Sequence, residues 1–319
     1  MRVLYIGGTG EISYACLLES LKQGHEVTTL NRGINAALLP AEVLPLQGDL
    51  RDVDVYGALS SKSFDVVCQF FAFTPDAVER DVEQFKGLCG QYVFVSTASA
   101  YKKIKNGLIT ESTPLDNPYW AYSRNKVKCE QRLIAASDFT KTIVRPSHTY
   151  RERIPSTVVS GEHLVWRLLH RKPVIVHDEG ESLWTLTHAT DFARAFVGLL
   201  GEEGAFNETF HITSDHAYSW NMILTCVADA LNCPIDIRQV PTDELVEQSP
   251  HWEGSLRGDK ANSMVFDNSK VKKLLPNWEC TTDLNQGIAD SLERLLRKGV
   301  MEPESALDRQ IDQIIELNS

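Results

Sequence analysis

Tyr122 and Lys126 stand four residues apart in Tyr122-Ser123-Arg124-Asn125-Lys126. On a helix, positions i and i+4 share a face, so the phenol and the ammonium can converge. A free phenol titrates at about 10 and is a poor base at neutral pH. An ammonium about 4 Å away, at an effective dielectric of 20, favours the phenolate by roughly 4 kcal/mol, or about 3 pKa units. Such a pair could remove a proton from a substrate hydroxyl. The same spacing also arises from a core tyrosine beside a solvated lysine, so the elements around the pair must decide.

Those elements have the pattern of a parallel sheet covered by helices: short β-branched apolar runs alternate with amphipathic stretches. Strands are predicted at 3–6, 26–30, 43–47 and 91–95, within the apolar run 64–71, and at 142–144. Helices are predicted at 14–22 and 76–88 and over the Tyr122 segment. Past Pro146, polar loops surround helices at 162–170 and 191–200, the second preceded by 183–187. A strand at 207–212 and a helix ending near Leu231 follow, and 303–317 reads as a peripheral amphipathic helix. The fold class is α/β, a Rossmann-type doubly wound parallel sheet. Residues 1–146 are expected to form the Rossmann domain, and residues 147–319 to return to the sheet and build a smaller C-terminal substrate lobe.

Between the first strand and the first helix lies Ile6-Gly7-Gly8-Thr9-Gly10-Glu11-Ile12-Ser13. Glycines permit a tight turn and close approach of a pyrophosphate, which the helix N-terminus receives with N–H donors. Ser13 stands where such fingerprints carry a third glycine, and the Glu11 carboxylate would repel a diphosphate unless it turns away. After the second strand, neutral Asn31 and Arg32 replace the acid that accepts from a ribose 2′-hydroxyl, so a 2′-phosphate would be tolerated and paired. Arg32 can equally be an exposed loop cation, and the cofactor is therefore NAD or NADP with a lean to NADP. Asp49 either touches adenine or caps the next helix.

Composition narrows the classes. With 319 residues, 43% hydrophobic and 24% charged, the sequence is that of an ordinary globular protein. No run approaches the ~18 apolar residues of a membrane span, and the N-terminus reads as a strand rather than a signal peptide. A net charge of −11 argues against nucleic acid as the main partner, and the Lys102, Lys103 and Lys105 cluster reads as a solvated loop. Seven scattered cysteines without a Cys-x-x-Cys suit reduced thiols in a cytoplasmic protein. No metal site is expected.

In joint order and spacing, several motifs resemble the extended short-chain dehydrogenase/reductases, the nucleotide-sugar epimerase/dehydratase superfamily. They are Gly7-Gly8-Thr9-Gly10, Asp49-Leu50, the 94–101 block, Tyr122-x-x-x-Lys126, Arg145-Pro146 and Thr187-His188-Ala189-Thr190-Asp191. Gly7-Gly8-Thr9 with Asn31-Arg32-Gly33, Phe73-Thr74-Pro75 and the 96–101 block is similar to a divergent branch that includes chloroplast stem-loop RNA-binding proteins. The resemblance implies that Tyr122 is the catalytic base, that Lys126 binds nicotinamide ribose and lowers the phenol, and that Thr97 hydrogen-bonds the reacting hydroxyl. Cofactor contacts are expected from Gly7, Gly8, Thr9, Gly10, Glu11 and Ile12, from Asn31, Arg32, Asp49 and Leu50, and from Phe71, Ala72, Ser96 and Pro146, besides Tyr122 and Lys126. The substrate, a nucleotide sugar or related molecule, would meet Thr97, His148 and Arg151. His148 is otherwise a satisfied loop histidine, and Arg151, with Arg153, part of a solvated basic loop. A homodimer through the Tyr122 helix and helix 76–88 is also implied.

Sugar 4,6-dehydratases carry an Asp-Glu pair directly after the threonine. Here Ala98 and Ser99 stand there, and neither titrates usefully. Epimerisation or oxidation at a carbinol is therefore expected, against a nucleotide-sensing or RNA-binding protein without turnover and a simple ketone or alcohol reductase as alternatives. His188 reads as a structural cap, and Trp184, Trp220 and Trp252 as core or lid residues.

Overall fold

The computed structural model describes residues 1–52, 54–59, 62–104 and 107–318, so Lys105 lies outside the described residues. Strands β1 (Arg2–Ile6), β2 (Glu26–Asn31), β3 (Leu44–Gln47), β4 (Phe64–Gln69), β5 (Cys89–Val95) and β6 (Lys141–Pro146) join Glu208–Ile212 in one seven-stranded sheet. Its order is 208–212, β6, β5, β4, β1, β2, β3, with every pairing parallel. The order reverses between β1 and β4, and ligands bind such sheets in the crevice at the carboxyl ends of the strands flanking that point.

Both faces of the sheet are buried, which is why its strands read as apolar runs rather than alternating ones. On β1, Val3 and Tyr5 face helices α1 (Ser13–Lys22) and α5 (Ala189–Gly198), meeting Leu17, Phe192 and Phe196. Leu4 and Ile6 face α2 (Pro75–Phe85) and α3 (Ala121–Ala135), with Val78, Cys129 and Leu133. Thr74 caps α2 and Pro75 opens it, a start favoured because a proline lacks only an N–H the helix cannot use. The helix stops at Phe85, short of the expected 88, because Gly87 turns with φ +76°. The run 64–71 likewise leaves the sheet at Gln69.

Two buried polar joints set the elements around the crevice. Asp81 of α2 accepts hydrogen bonds from Tyr56, from Tyr92 Oη at 2.5 Å and from Gln69 Nε2 at 2.6 Å. Gln69 Oε1 takes the Phe71 N–H at 2.7 Å, fixing the turn after β4. Arg145 of β6 grips Glu130 of α3 through two bonds of 2.9 and 2.5 Å. Glu130 follows Tyr122 and Lys126 at the same four-residue interval, so this fork orients the face of α3 that carries them.

The lobe packs α4 (Gly161–Leu169) and α6 (Trp220–Ala230) with helix Leu284–Lys298 around Trp184 and Trp220. The expected segment 183–187 is two short strands, Leu183–Trp184 against Tyr218–Ser219 and Leu186–His188 against His148–Tyr150. The parallel pair Val174–His177 and Ile237–Val240 lies outside the expected strands, although Val174-Ile175-Val176 is a β-branched run. On it lies the C-terminal helix Ser305–Leu317, with Ile311, Ile314 and Ile315 buried.

Candidate functional site

The turn after β1 is shaped by contacts a side chain would break. Gly7 has φ +89°, and a Cβ there would sit 2.3 Å from Phe71 Cδ2, so only glycine serves. Ser13 does more than replace a small residue: its hydroxyl accepts from the Gly10 N–H at 2.9 Å and donates to Gly7 O at 2.5 Å. Among the described residues no acceptor takes the N–H groups of Glu11 and Ile12. The Glu11 carboxylate points away from them. Its Oε1 accepts from the N–H groups of Arg151, Glu152 and Arg153 at 2.7, 2.5 and 2.9 Å. The residue that looked repulsive to a diphosphate thus ties the turn to the lobe.

At the end of β5, Thr97 opens a short turn and its hydroxyl lies 2.9 Å from Ser99 Oγ, itself 2.7 Å from Ser123 Oγ. Ser99, at a dehydratase's acid position, is part of the framework that holds Thr97. The Tyr122 phenol is raised above its ordinary value: burial is the main cause, Thr97 within hydrogen-bonding reach pulls it down, and Asp259 pushes it up. Lys126 is not among these influences in the ligand-free chain. Its Nζ donates to Ala72 O and Val95 O, both at 2.8 Å, and lies 4.7 Å from the ring centres of Phe73 and Phe94. Only 1% exposed, the ammonium is pushed down to about 8 by burial, with Cys129 and Glu130 opposing.

A cavity of about 720 Å³ runs from Gly10, Glu11, Ile12 and Ser13 past Phe71, Ser96 and Thr97 to Tyr122, Lys126, Pro146 and His148. Ser96 Oγ is buried there without a partner among the described residues. His148 faces Trp184 and Trp220 edge-on, and burial, aided by Lys260, pushes it down to about 3, so the ring is neutral. Arg151 does not line this cavity. Its Nε donates to Glu11 O at 3.3 Å, its Nη1 pairs with Glu152 at 2.8 Å, and its guanidinium lies over Tyr14. The neighbouring Arg153 lines the cavity instead.

Asn31 ends β2, Arg32 follows it, and Asp49 and Leu50 follow β3; all four lie outside the cavity lining. Asn31 folds back to accept from Gly33 N–H at 2.8 Å, while Arg32 is exposed. Asp49 neither caps a helix nor stays free: Arg51 binds it through its guanidinium and N–H, holding the carboxyl far below its usual range. Gly8 and Thr9, in the turn after β1, and Ala72, after β4, do not line the cavity. His188 bonds Thr190 Oγ1 at 2.8 Å, and all seven cysteines are free. Among the described residues no cluster could hold a metal ion, and no helix is long and apolar enough to cross a membrane.

Three site residues escaped the sequence reading. Lys103, expected in a solvated loop, is 13% exposed at its side chain and lies 3.5 Å from Asp259. Asp259 and Lys260 come from a π-helical turn, Leu256–Lys260, and Lys260, pushed down to about 8 by burial against the pull of Asp259, lines the larger cavity. The local hint is the glycine pair Gly254 and Gly258 beside the charged Arg257, Asp259 and Lys260.

This topology and crevice define a doubly wound α/β protein whose pocket opens at the switch point of its sheet. The chain belongs to the NAD dependent epimerase/dehydratase family, whose profile matches residues 3–212. It is 28% identical over 323 residues, 95% of this chain and 82% of the relative, to the chloroplast stem-loop binding protein of 41 kDa b from Arabidopsis thaliana. It is 27% identical over 292 residues, 88% of this chain and 80% of the relative, to 2'-dehydrokanamycin reductase from Streptomyces kanamyceticus. A UDP-glucuronic acid 4-epimerase from Bacillus cereus, solved with UDP-glucuronic acid and NAD, has a TM-score of 0.76 and 17% identity over 93% of this chain and 100% of that one. That last likeness is one of fold.

Proposed function

We propose that the chain is a NAD(P)-dependent epimerase or oxidoreductase acting on a carbinol of a nucleotide sugar or related substrate, with Tyr122 as its proton-transfer residue. The observation that carries this reading is a single cavity that joins the turn at Gly10–Ile12 to Thr97, Tyr122 and Lys126. Its donors fit a dinucleotide: the unpaired N–H groups of Glu11 and Ile12 suit a diphosphate at a helix start, and Ser96 and Lys126 suit the nicotinamide ribose. A bound nicotinamide would supply the hydride acceptor or donor. Thr97 would orient the substrate oxygen, and Tyr122 would pass a proton to or from it. The lean to NADP rests on Arg32 and the absence of an acid at position 31.

A reductase is the second reading, favoured by one observation. The raised Tyr122 phenol is protonated at neutral pH, the resting state suited to protonating a ketone oxygen as hydride arrives. The similarity to a reductase supports the same direction.

The test begins with calorimetry using NAD, NADH, NADP and NADPH, followed by turnover assays on UDP-glucose and on ketone substrates. Tyr122→Phe is expected to lower turnover by roughly 10²- to 10⁴-fold while leaving dinucleotide affinity nearly intact. Unchanged turnover in that variant sinks the role of Tyr122. No dinucleotide binding together with salt-sensitive RNA retention would favour a nucleic-acid function instead.

A further inference from the structure

Beside the larger cavity lies a smaller one of about 340 Å³, walled by Trp120 and Trp184, with Thr97 and Tyr122 opening into it. Among its described lining residues the one carboxyl is that of Asp259, and His148 is neutral. Asp259 Oδ1 lies 3.5 Å from Lys103 Nζ. Oδ2 receives no hydrogen bond from any described residue. Burial pushes this carboxyl up, while Lys103 and Lys260 pull it down.

The backbone beneath Asp259 is fixed from several sides. Asn117 Nδ2 donates to Gly258 O at 2.7 Å and to Ser99 O at 2.8 Å, tying the π turn to the loop after Thr97. Lys260 O accepts from Ser182 Oγ at 2.8 Å and from Trp220 Nε1 at 3.3 Å, and lies 3.0 Å from His177 Nε2. A Cβ at Gly254 would meet Trp120 Cδ1 at 2.4 Å, and one at Gly258 would meet Asn117 Oδ1 at 3.0 Å. The turn is therefore packed tightly against the entry of α3, and its glycines are needed there. Single π turns inside proteins are often built to place one side chain.

Two indole faces, two hydroxyls and one carboxylate with an open acceptor suit a ring with an apolar C–H face and hydrogen-bond donors on its edge. We propose that Asp259 is a substrate-binding residue whose Oδ2 accepts a hydrogen bond from a hydroxyl or ammonium carried beside the carbinol or ketone that meets Tyr122 and Thr97. The proposal rests on the reading of Tyr122 as the reacting position. It narrows the substrate to a polyhydroxylated or amino-substituted ring, because a simple aliphatic ketone would cover the half-buried Asp259 carboxyl without offering Oδ2 a donor. Lys103 acts as the positioning residue that holds the other oxygen.

The test is a ligand-by-variant cycle read by calorimetry on the dinucleotide-saturated protein. UDP-glucose, its deoxy analogues at each ring hydroxyl, and its 2-amino analogue are titrated into the wild type, Asp259→Asn and Asp259→Ala. One deoxy analogue is expected to bind the wild type roughly 10- to 100-fold more weakly than UDP-glucose. That difference disappears in Asp259→Ala, while the losses at other positions stay the same in both proteins. Tighter binding of the amino analogue by the wild type alone identifies an ammonium as the donor; equal binding identifies a hydroxyl. Dinucleotide affinity reports that each variant is folded; Asp259→Asn, whose amide oxygen still accepts, reports only the loss of charge, and Asp259→Leu, close in volume but without an acceptor, carries the test if the alanine variant is not folded. Deoxy losses identical in wild type and variants overturn the proposal but leave the Tyr122 reading standing. Failure of every sugar to bind the wild type overturns both, whereas full turnover in Tyr122→Phe with the Asp259 coupling intact overturns only the reacting position.

Discussion

The cavity and the anchor of the C-terminal helix both bury charge, and they push it in opposite directions. In the cavity, burial drives Lys126 and Lys260 down to about 8 and drives Tyr122 and Asp259 up, each toward its neutral form. At the anchor, burial alone would raise Asp308, but Lys172, His163 and Arg167 together hold it at about 2. Arg167 Nη1 reaches Asp308 at 2.5 Å and Nη2 reaches Asp312 at 2.8 Å, while Lys172 bonds both carboxylates at 2.5 and 2.6 Å. The anchor completes its charges within the chain. The cavity leaves its own under-compensated, which is the arrangement by which sites tune proton transfer. Clusters of shifted groups thus differ in meaning according to whether partners or burial cause the shift.

The largest effect that would break this contrast is at the anchor. Asp308→Ala leaves Arg167, only 1% exposed, without its inner partner, and is expected to destabilise the protein by about 3–5 kcal/mol in urea unfolding. A loss under about 1 kcal/mol, the value of an exposed pair, would show that solvent already compensates the anchor.

pH separates the two regions further. Lys126 falls from an ordinary 10.5 in the unfolded chain to about 8 in the fold. Between those values the unfolded chain holds a proton the native one lacks, so stability rises with pH. Measured against Lys126→Met, the wild type should gain about 3 kcal/mol from pH 8 to pH 10.5, and the burden is present in full at pH 7. Asp308, at 3.8 unfolded and about 2 folded, makes the opposite contribution at neutral pH. Its stabilisation is complete above pH 4, and about 2 kcal/mol relative to Asp308→Asn is lost as the pH falls to 2. A flat difference curve for Lys126 across the alkaline window would mean that its two carbonyl partners and two aromatic rings offset its burial.

The same division marks what the sequence could tell. The sheet, the Gly7 turn, Thr97 and the Tyr122–Lys126 spacing were legible because each rests on local pattern: a run, a glycine, a helical interval. Glu11 and Arg151 were misread because each takes its partner from across the chain, 140 residues away. Lys103 and Asp259 meet only after the lobe folds back, and a π turn has no period for a sequence to display. Asp308 looked like one polar position on an amphipathic helix, since the Arg167 and Lys172 that bury it lie on and just beyond α4.

The smallest expected effect bears on the feature most visible in the sequence. If Lys126 tuned the phenol as its spacing suggests, Lys126→Met would raise the Tyr122 titration by about 3 units. The structure gives that influence to Thr97 and Asp259 instead. In the ligand-free protein, Thr97→Ala should move the phenol upward and Asp259→Asn downward, while Lys126→Met leaves it in place. Tyrosinate absorbance, with each variant read against its own Tyr122→Phe counterpart, isolates this one phenol among nine tyrosines. An upward shift in Lys126→Met larger than that in Thr97→Ala would restore the lysine as the tuning charge. The two carbonyl bonds from Lys126 to Ala72 and Val95 would then be an anchoring role that it combines with tuning.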